Sequence, residues 1–190
     1  MSDLLIQHIN KHTDLSETDA DFVVSNFKKV TFKKHSYLLR AGEVCRYESF
    51  ITKGLLKIYS LSASGIEHII FFAVENWYAG DLYSFLTGLP ATLNIVAMED
   101  TEVLQIEKRV LERLLVQVPP MERYFRILFQ NAFVASQVRI MESISDSAET
   151  RYEAFLKRYP LIQNRIPQYL IASYLGITPQ FLSKIRRKRV

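Results

Sequence analysis

The pattern of hydrophobic positions changes character along the chain. Residues 3–27 follow a helical period, and Ser16 stands in a capping position before the second helical stretch. Residues 30–110 instead contain short runs rich in Val, Ile, Phe and Tyr, which are separated by turn signals such as Lys53-Gly54. Many short strands without long helices between them predict an antiparallel barrel or jelly roll.

The pattern becomes helical again from Val110, and residues 121–145 run without Gly or Pro. Their apolar positions form more than one stripe, which predicts that two faces of this helix are buried. One face would cover the β-domain and the other would pair with a second subunit, which predicts a homodimer. The pairing face has near-heptad spacing and consists of Tyr124, Leu128, Asn131, Ala135, Val138 and Glu142. A helix fully buried within its own monomer is the alternative.

Residues 166–187 predict two helices joined by a tight turn. Gly176 stands where the first helix must end in a left-handed conformation. Thr178 and Pro179 are the residue types favoured at the N-cap and the first position of the second helix. A helix-turn-helix with a small apolar core follows from this pattern. The residues assigned to that core are Leu170, Ile171, Leu175, Ile177, Leu182 and Ile185.

The charge distribution changes what this motif is expected to do. Residues 151–190 carry a net charge of +8, whereas residues 1–150 carry −4. Such asymmetry indicates a polyanion-binding end, with a solvated basic tail or an acidic membrane surface as alternatives. In a helix-turn-helix, the second helix enters the major groove of DNA. The candidate DNA-binding residues are Thr178, Gln180, Ser183, Lys184, Arg186 and Arg187, with Lys188 and Arg189 adding non-specific attraction.

These residues have different expected roles. Gln180 has the amide that pairs with adenine, and Lys184 can donate to guanine O6 or N7. Ser183 is an ambiguous contact, because its hydroxyl suits several bases. Thr178 and the helix N-terminus suit a phosphate.

In the order of its parts, the chain resembles the cyclic-AMP-receptor/Fnr (CRP/FNR) family of transcription regulators, and the similarity covers nearly all residues. The glycines of Gly42-Glu43, Lys53-Gly54, Gly65 and Gly80-Asp81-Leu82 match that family's strand and turn signatures. The resemblance implies an α+β fold with an N-terminal antiparallel β-roll (a jelly roll of the cyclic-nucleotide-binding type, cupin-like), a long dimerisation helix and a C-terminal helix-turn-helix. The expected segments are 1–118, 119–145 and 146–190. The implied partners are double-stranded DNA, a second copy of the chain, RNA polymerase and a small-molecule effector.

The same resemblance bears on the effector. Family members that bind cyclic nucleotides have Gly-Glu-Leu followed, about ten residues later, by an arginine that pairs with the phosphate. This chain has Gly80-Asp81-Leu82 and then Ala91-Thr92, so the guanidinium is missing. Cyclic AMP is therefore disfavoured and no cofactor is assigned; a vestigial pocket and another ligand both stay open. The expected effector-pocket residues are Tyr59, Gly80, Asp81, Leu82, Tyr83 and Thr92.

Other classes of protein fit less well. Cys45 is the single cysteine, so an internal disulfide, a tetrahedral zinc site and an iron–sulfur cluster are excluded. No run of 18 apolar residues and no leader pattern occur, which predicts a cytoplasmic protein without a membrane partner. Catalytic motifs are absent, which predicts that the chain is not an enzyme. The alternative function is a ligand-binding or protein-interaction module without sequence-specific DNA binding.

Overall fold

The computed structural model describes residues 2–160 and 162–188, so the sequence-based expectation for Arg189 lies outside the described residues. Within this part, short helices precede and follow a set of strands, and one long helix leads into the C-terminal helices. The helices are α1 (Ser2–Ile9), α2 (Glu17–Ser25), α3 (Leu82–Thr87), α4 (Lys108–Gln117), α5 (Pro119–Ser145), α6 (Ala148–Arg158), α7 (Gln168–Leu175) and α8 (Pro179–Arg187). The strands are β1 (Lys28–Phe32), β2 (Tyr37–Leu39), β3 (Tyr47–Lys53), β4 (Leu56–Leu61), β5 (Glu67–Ala73), β6 (Tyr78–Ala79), β7 (Asn94–Ala97) and β8 (Thr101–Glu107).

The strands form two four-stranded sheets, which confirms the predicted β-roll. One sheet has the order β1-β8-β3-β6 and the other has the order β2-β7-β4-β5. The pairs β1–β8, β3–β8, β3–β6, β2–β7 and β4–β7 are antiparallel. The predicted turn at Gly54 is also confirmed, since Gly54 has a φ of +106°. A Cβ on Gly54 would lie 2.7 Å from the Cα of Thr101, so only glycine fits this close approach.

Strand β6, helix α3 and a short 3-10 helix at Ile162–Asn164 were not predicted from the sequence. Strand β6 has only two residues, too few to show an alternating pattern. Helix α3 begins after Asp81, whose side chain caps it, and ends at Gly88, which has a left-handed φ of 75°. The sequence predicts a strand and turn at Gly80-Asp81-Leu82, whereas in the structure this segment leads into the start of helix α3.

The chain folds as two compact units, and the first contains residues 2–60 and 71–130. Its core includes the start of α5, where Tyr124 is fully buried. The Tyr124 hydroxyl lies 2.8 Å from Nδ1 of His8 in α1 and 3.3 Å from the hydroxyl of Tyr78. The assignment of Tyr124 to the dimer face was therefore wrong, because this side chain is used to fix α5 within its own unit.

The second unit contains residues 61–70 and 131–188. Here Glu142, also assigned to the dimer face, lies 3.5 Å from Arg158 of α6. The alternative of a helix fully buried within its own monomer is not met, because this half of α5 is largely exposed in the single chain. Large apolar side chains with exposures between 45% and 75% lie on it. They are Phe133, Val134, Val138, Ile140, Met141 and Ile144.

Candidate DNA-reading helix and β-roll cavity

Helix α8 is anchored on one side and exposed on the other. Leu182 is 0% exposed and Ile185 is 2% exposed, so both pack into the small core of the second unit. With about 100° between successive helical residues, Gln180, Lys184 and Arg187 lie on the opposite side, and all three are exposed. Burial of the apolar pair therefore fixes which side chains the helix presents outward.

The turn before α8 has the chemistry that the sequence predicted. Gly176 adopts a left-handed conformation with φ 66° and ψ 33° and ends α7. The amide of Ile177 donates to the carbonyl of Ala172 over 3.0 Å. The Thr178 Oγ1 accepts from the amide of Phe181 over 3.2 Å, and Pro179 occupies the first helical position. Because the hydroxyl proton of Thr178 is not used in this cap, it is available to a phosphate oxygen.

Most other core assignments in this motif are confirmed. Leu170, Ile171 and Leu175 are all buried, and Ala172 is fully buried where close helix packing requires a small side chain. Ile177 is only partly buried, since it lies in the turn. Of the remaining candidate DNA-binding residues, Ser183 and Arg186 are partly buried, and Thr178 is exposed.

Contacts that the sequence did not reveal hold α7 in place. The Arg139 Nη2 on α5 donates to the carbonyls of Ile69 (3.0 Å) and Tyr174 (3.3 Å). The Arg139 guanidinium also lies 3.9 Å from the centre of the Tyr174 ring, within cation–π range. The Ser173 Oγ donates to the carbonyl of Glu67 over 2.9 Å. The tip of the β4–β5 hairpin thus supports the first helix of the helix-turn-helix.

The first unit contains a cavity of about 210 Å³. Of the expected effector-pocket residues, only Gly80 lines it. The complete lining is Leu38, Leu39, Glu43, Val44, Cys45, Arg46, Tyr47, Ser49, Ala79, Gly80, Ile95 and Gln105. Gln105 Nε2 donates to Ser49 Oγ over 3.0 Å, and both side chains were missed because alternation in β3 and β8 shows a shared face but not a cavity. The cavity wall combines apolar side chains with the charged or polar side chains of Glu43, Arg46, Ser49 and Gln105, so it offers both apolar contact and hydrogen-bonding groups to a small ligand.

The other expected pocket residues serve different roles or lie at the surface. The Tyr59 hydroxyl is 3.1 Å from that of Tyr37, and Tyr59 is nearly fully buried. Leu82 is partly buried, and Tyr83 and Thr92 are exposed. These positions therefore do not assemble into a single pocket.

Asp81 is the most heavily used of these residues. Its carboxylate is buried and accepts three backbone N–H groups, from Ser84 (3.0 Å), Thr92 (3.0 Å) and Leu93 (3.2 Å). Ala91, which stands where cyclic-nucleotide binders have arginine, is only 4% exposed. Because the carboxylate is fully engaged and no guanidinium is present at Ala91, this segment does not fit a cyclic nucleotide.

Glu48 is an unusual buried acid on the strand beside this segment. It is 5% exposed, and its carboxylate would lie 2.8 Å from a Cβ placed on Gly80. Burial, together with the smaller effect of the nearby charge of Asp81, raises the pKa of Glu48 to about 8. Glu48 is therefore protonated at neutral pH in the folded protein.

Replacing Glu48 by glutamine should stabilise the protein at alkaline pH. Between the ordinary pKa of 4.5 and the folded value of about 8, the folded state of the native chain holds a proton that the unfolded state has lost. The free energy of unfolding should therefore fall as pH rises through this range. Glu48→Gln should remove that fall and raise the free energy of unfolding at pH 8 by up to about 4 kcal/mol.

Urea unfolding of both proteins at pH 5 and pH 8 measures this difference. Glu112→Gln, at an exposed position of α4, is the matched control and should leave the pH dependence unchanged. The same slope for Glu48→Gln and for the native chain would contradict the assignment of a protonated Glu48.

In residues 2–160 and 162–188, no group of three or more His, Cys, Asp or Glu side chains is arranged to hold a metal ion. No helix in this part of the chain combines the length and the apolar character needed to cross a membrane.

Comparison with known proteins identifies the relatives of this architecture. Residues 29–118 match the family model of the cyclic nucleotide-binding domain. The chain is 26% identical over 174 residues to the fumarate and nitrate reduction regulatory protein of Vibrio cholerae, covering 83% of this chain and 67% of that protein. It is 25% identical over 185 residues to the regulatory protein HlyX of Actinobacillus pleuropneumoniae, covering 88% of this chain and 73% of HlyX.

Solved structures show the same fold. The structure of FixK2 from Bradyrhizobium japonicum superposes with a TM-score of 0.73 at 17% identity, covering 85% of this chain and 83% of FixK2. The relatives found by sequence carry the names of regulatory proteins. Residues 29–118 thus resemble a cyclic nucleotide-binding domain, and with its β-roll, long helix and C-terminal helix-turn-helix the chain is similar to transcription regulators of the CRP/FNR family.

Proposed function

We propose that the protein is a DNA-binding transcriptional regulator that reads a two-fold symmetric site as a homodimer. The observation that carries this proposal is the outward face of α8. Gln180, Lys184 and Arg187 are exposed there, on a helix whose other side is held by Leu182 and Ile185. A short anchored helix with an exposed polar and basic face is what the major groove accommodates.

The residues of α8 divide into two roles. Gln180 and Lys184 lie in its first two turns, which meet base edges, so they would carry sequence preference. Arg187 lies in the last turn and Lys188 follows the helix, so both would contact phosphates and add salt-dependent affinity. Thr178 would donate its hydroxyl proton to a phosphate next to the helix N-terminus.

The exposed half of α5 supports the homodimer. On a helical wheel, its six exposed apolar side chains fall within an arc of about 160°. An apolar face of this size, which includes one polar residue, Gln137, is costly to leave in water and is typical of an interaction surface. Pairing of two such helices would bury it and present two copies of α8 to the DNA. Met141 lies near the middle of the arc.

The proposal extends to an effector of the β-roll, to RNA polymerase as a partner and to a cytoplasmic location. The cavity lined by Arg46, Ser49 and Gln105 is the best candidate for an effector, which would be small and bound without the phosphate clamp of cyclic-nucleotide binders. The family resemblance supports contacts with RNA polymerase at a regulated promoter. A cytoplasmic location follows from the proposed action on DNA and stays a prediction.

Competition between DNAs tests the proposal against a protein-interaction module. A duplex selected by the protein from a random pool should displace labelled DNA at a concentration at least about 1000-fold lower than random duplex. Equal competition by the two duplexes would overturn sequence-specific recognition, because a basic surface alone attracts any polyanion. Salt dependence alone would not distinguish these cases.

A further inference from the structure

An aromatic side chain stands exposed in the first turn of the reading helix. Phe181 is 41% exposed, whereas the next residue, Leu182, is fully buried. The amide of Phe181 is bonded to the cap residue Thr178, so its place at the start of α8 is fixed. Packing in the second unit therefore covers part of this side chain and leaves the rest exposed to solvent.

Phe181 adjoins the polar face of α8. With about 100° per residue, its side chain lies about 60° around the helix from Lys184 and about 100° from Gln180. Helix entry into the groove through Gln180 and Lys184 would bring the exposed part of the Phe181 ring to the edge of the same contact. The ring has no hydrogen-bond donor or acceptor, so it cannot bind a phosphate or a polar base edge.

We infer that Phe181 is a specificity-determining residue that contacts the C5-methyl group of a thymine. The methyl group of thymine is the apolar feature of the major groove, and phenylalanine is among the side chains that contact it. This contact removes apolar surface of both groups from water, which favours thymine over cytosine at one position of each half-site. The inference rests on the proposed function, because it requires α8 to lie in the groove.

Removal of single methyl groups from the DNA tests the inference. The probe is a duplex selected by the native protein, in which the thymines of one half-site are replaced one at a time by deoxyuridine. This change deletes the methyl group and keeps the hydrogen-bonding edge. Native protein should lose about fourfold in affinity at one position, as expected for burial of one methyl-sized group. Phe181→Ala should bind the unmodified duplex more weakly and show no loss at that position.

Two further variants serve as controls. Tyr169 of α7 is an aromatic side chain that is 58% exposed. Tyr169→Ala removes it and should leave the dependence of affinity on the thymine methyl group unchanged. Phe181→Leu keeps an apolar side chain and should therefore retain part of the dependence of affinity on the thymine methyl group. Undiminished methyl dependence in Phe181→Ala, or native protein that ignores every methyl deletion, would overturn the inference while selective DNA binding stands. Loss of selectivity for any duplex in the native protein would overturn the proposed function as well.

Discussion

Met141→Asp should convert the dimer into a monomer and lower its affinity for a two-fold symmetric DNA site by at least about 100-fold. Met141 is 59% exposed in one chain and lies near the middle of the apolar face of α5. In a paired helix, aspartate would place two unpaired carboxylates in a buried seam, which costs several kcal/mol. The monomer would also lose the gain in affinity that comes from binding two half-sites together.

Sedimentation and a DNA titration measure the two consequences separately. Ala135→Asp is the matched control, because Ala135 is exposed on the same helix but lies about 120° around it from Met141. This control should remain dimeric. Dissociation of Ala135→Asp together with an intact dimer for Met141→Asp would instead support the face predicted from the sequence, and would contradict pairing through the exposed apolar face of α5.

Lys184→Ala should lower affinity for the selected site about tenfold to a hundredfold and relax preference at one base pair of each half-site. The Lys184 ammonium is exposed on the outward face of α8, where it can reach guanine O6 or N7. Loss of one good base contact costs about 1–3 kcal/mol of discrimination. Repeating the selection with the variant shows whether the preference at that base pair has disappeared.

Arg187→Ala tests the loss of an expected phosphate contact, in contrast to the base contact that Lys184→Ala removes. It should weaken binding to selected and random duplexes by the same factor, and should reduce the slope of log affinity against log salt by about one. Identical behaviour of the Lys184 and Arg187 variants would contradict the division of α8 into base-reading and phosphate-binding turns.

The local features of this fold could be predicted from the sequence because they depend on residues close together in the chain. The end of α7 at Gly176 follows from the left-handed conformation that glycine accepts, and the start of α8 follows from Thr178 and Pro179. The strands were recognisable because turn signals separate short runs that are rich in Val, Ile, Phe and Tyr. The similarity to CRP/FNR regulators was recognisable from the order of these elements.

Features that depend on distant contacts could not be predicted in this way. A helical period shows which residues of α5 share a face, but not what packs against that face. Tyr124 was therefore assigned to a contact with a second subunit, whereas in the structure its hydroxyl contacts His8 of its own chain. Asp81 matched a motif position, yet its carboxylate is held by amides up to twelve residues further along the chain. The hydrogen bond from Arg139 to the carbonyl of Ile69 joins residues that are 70 positions apart, so no local pattern in the sequence indicates it.

The spacing of a selected DNA site tests the central claim most directly, because it depends on both α8 and the pairing of α5. Selection of bound duplexes from a random pool, followed by sequencing, should yield a two-fold symmetric site. Its half-sites should lie one helical turn apart, about 10–10.5 base pairs from centre to centre, or a multiple of this distance. Recovery of unrelated sequences, without an enriched and symmetric pair of half-sites, would contradict the account.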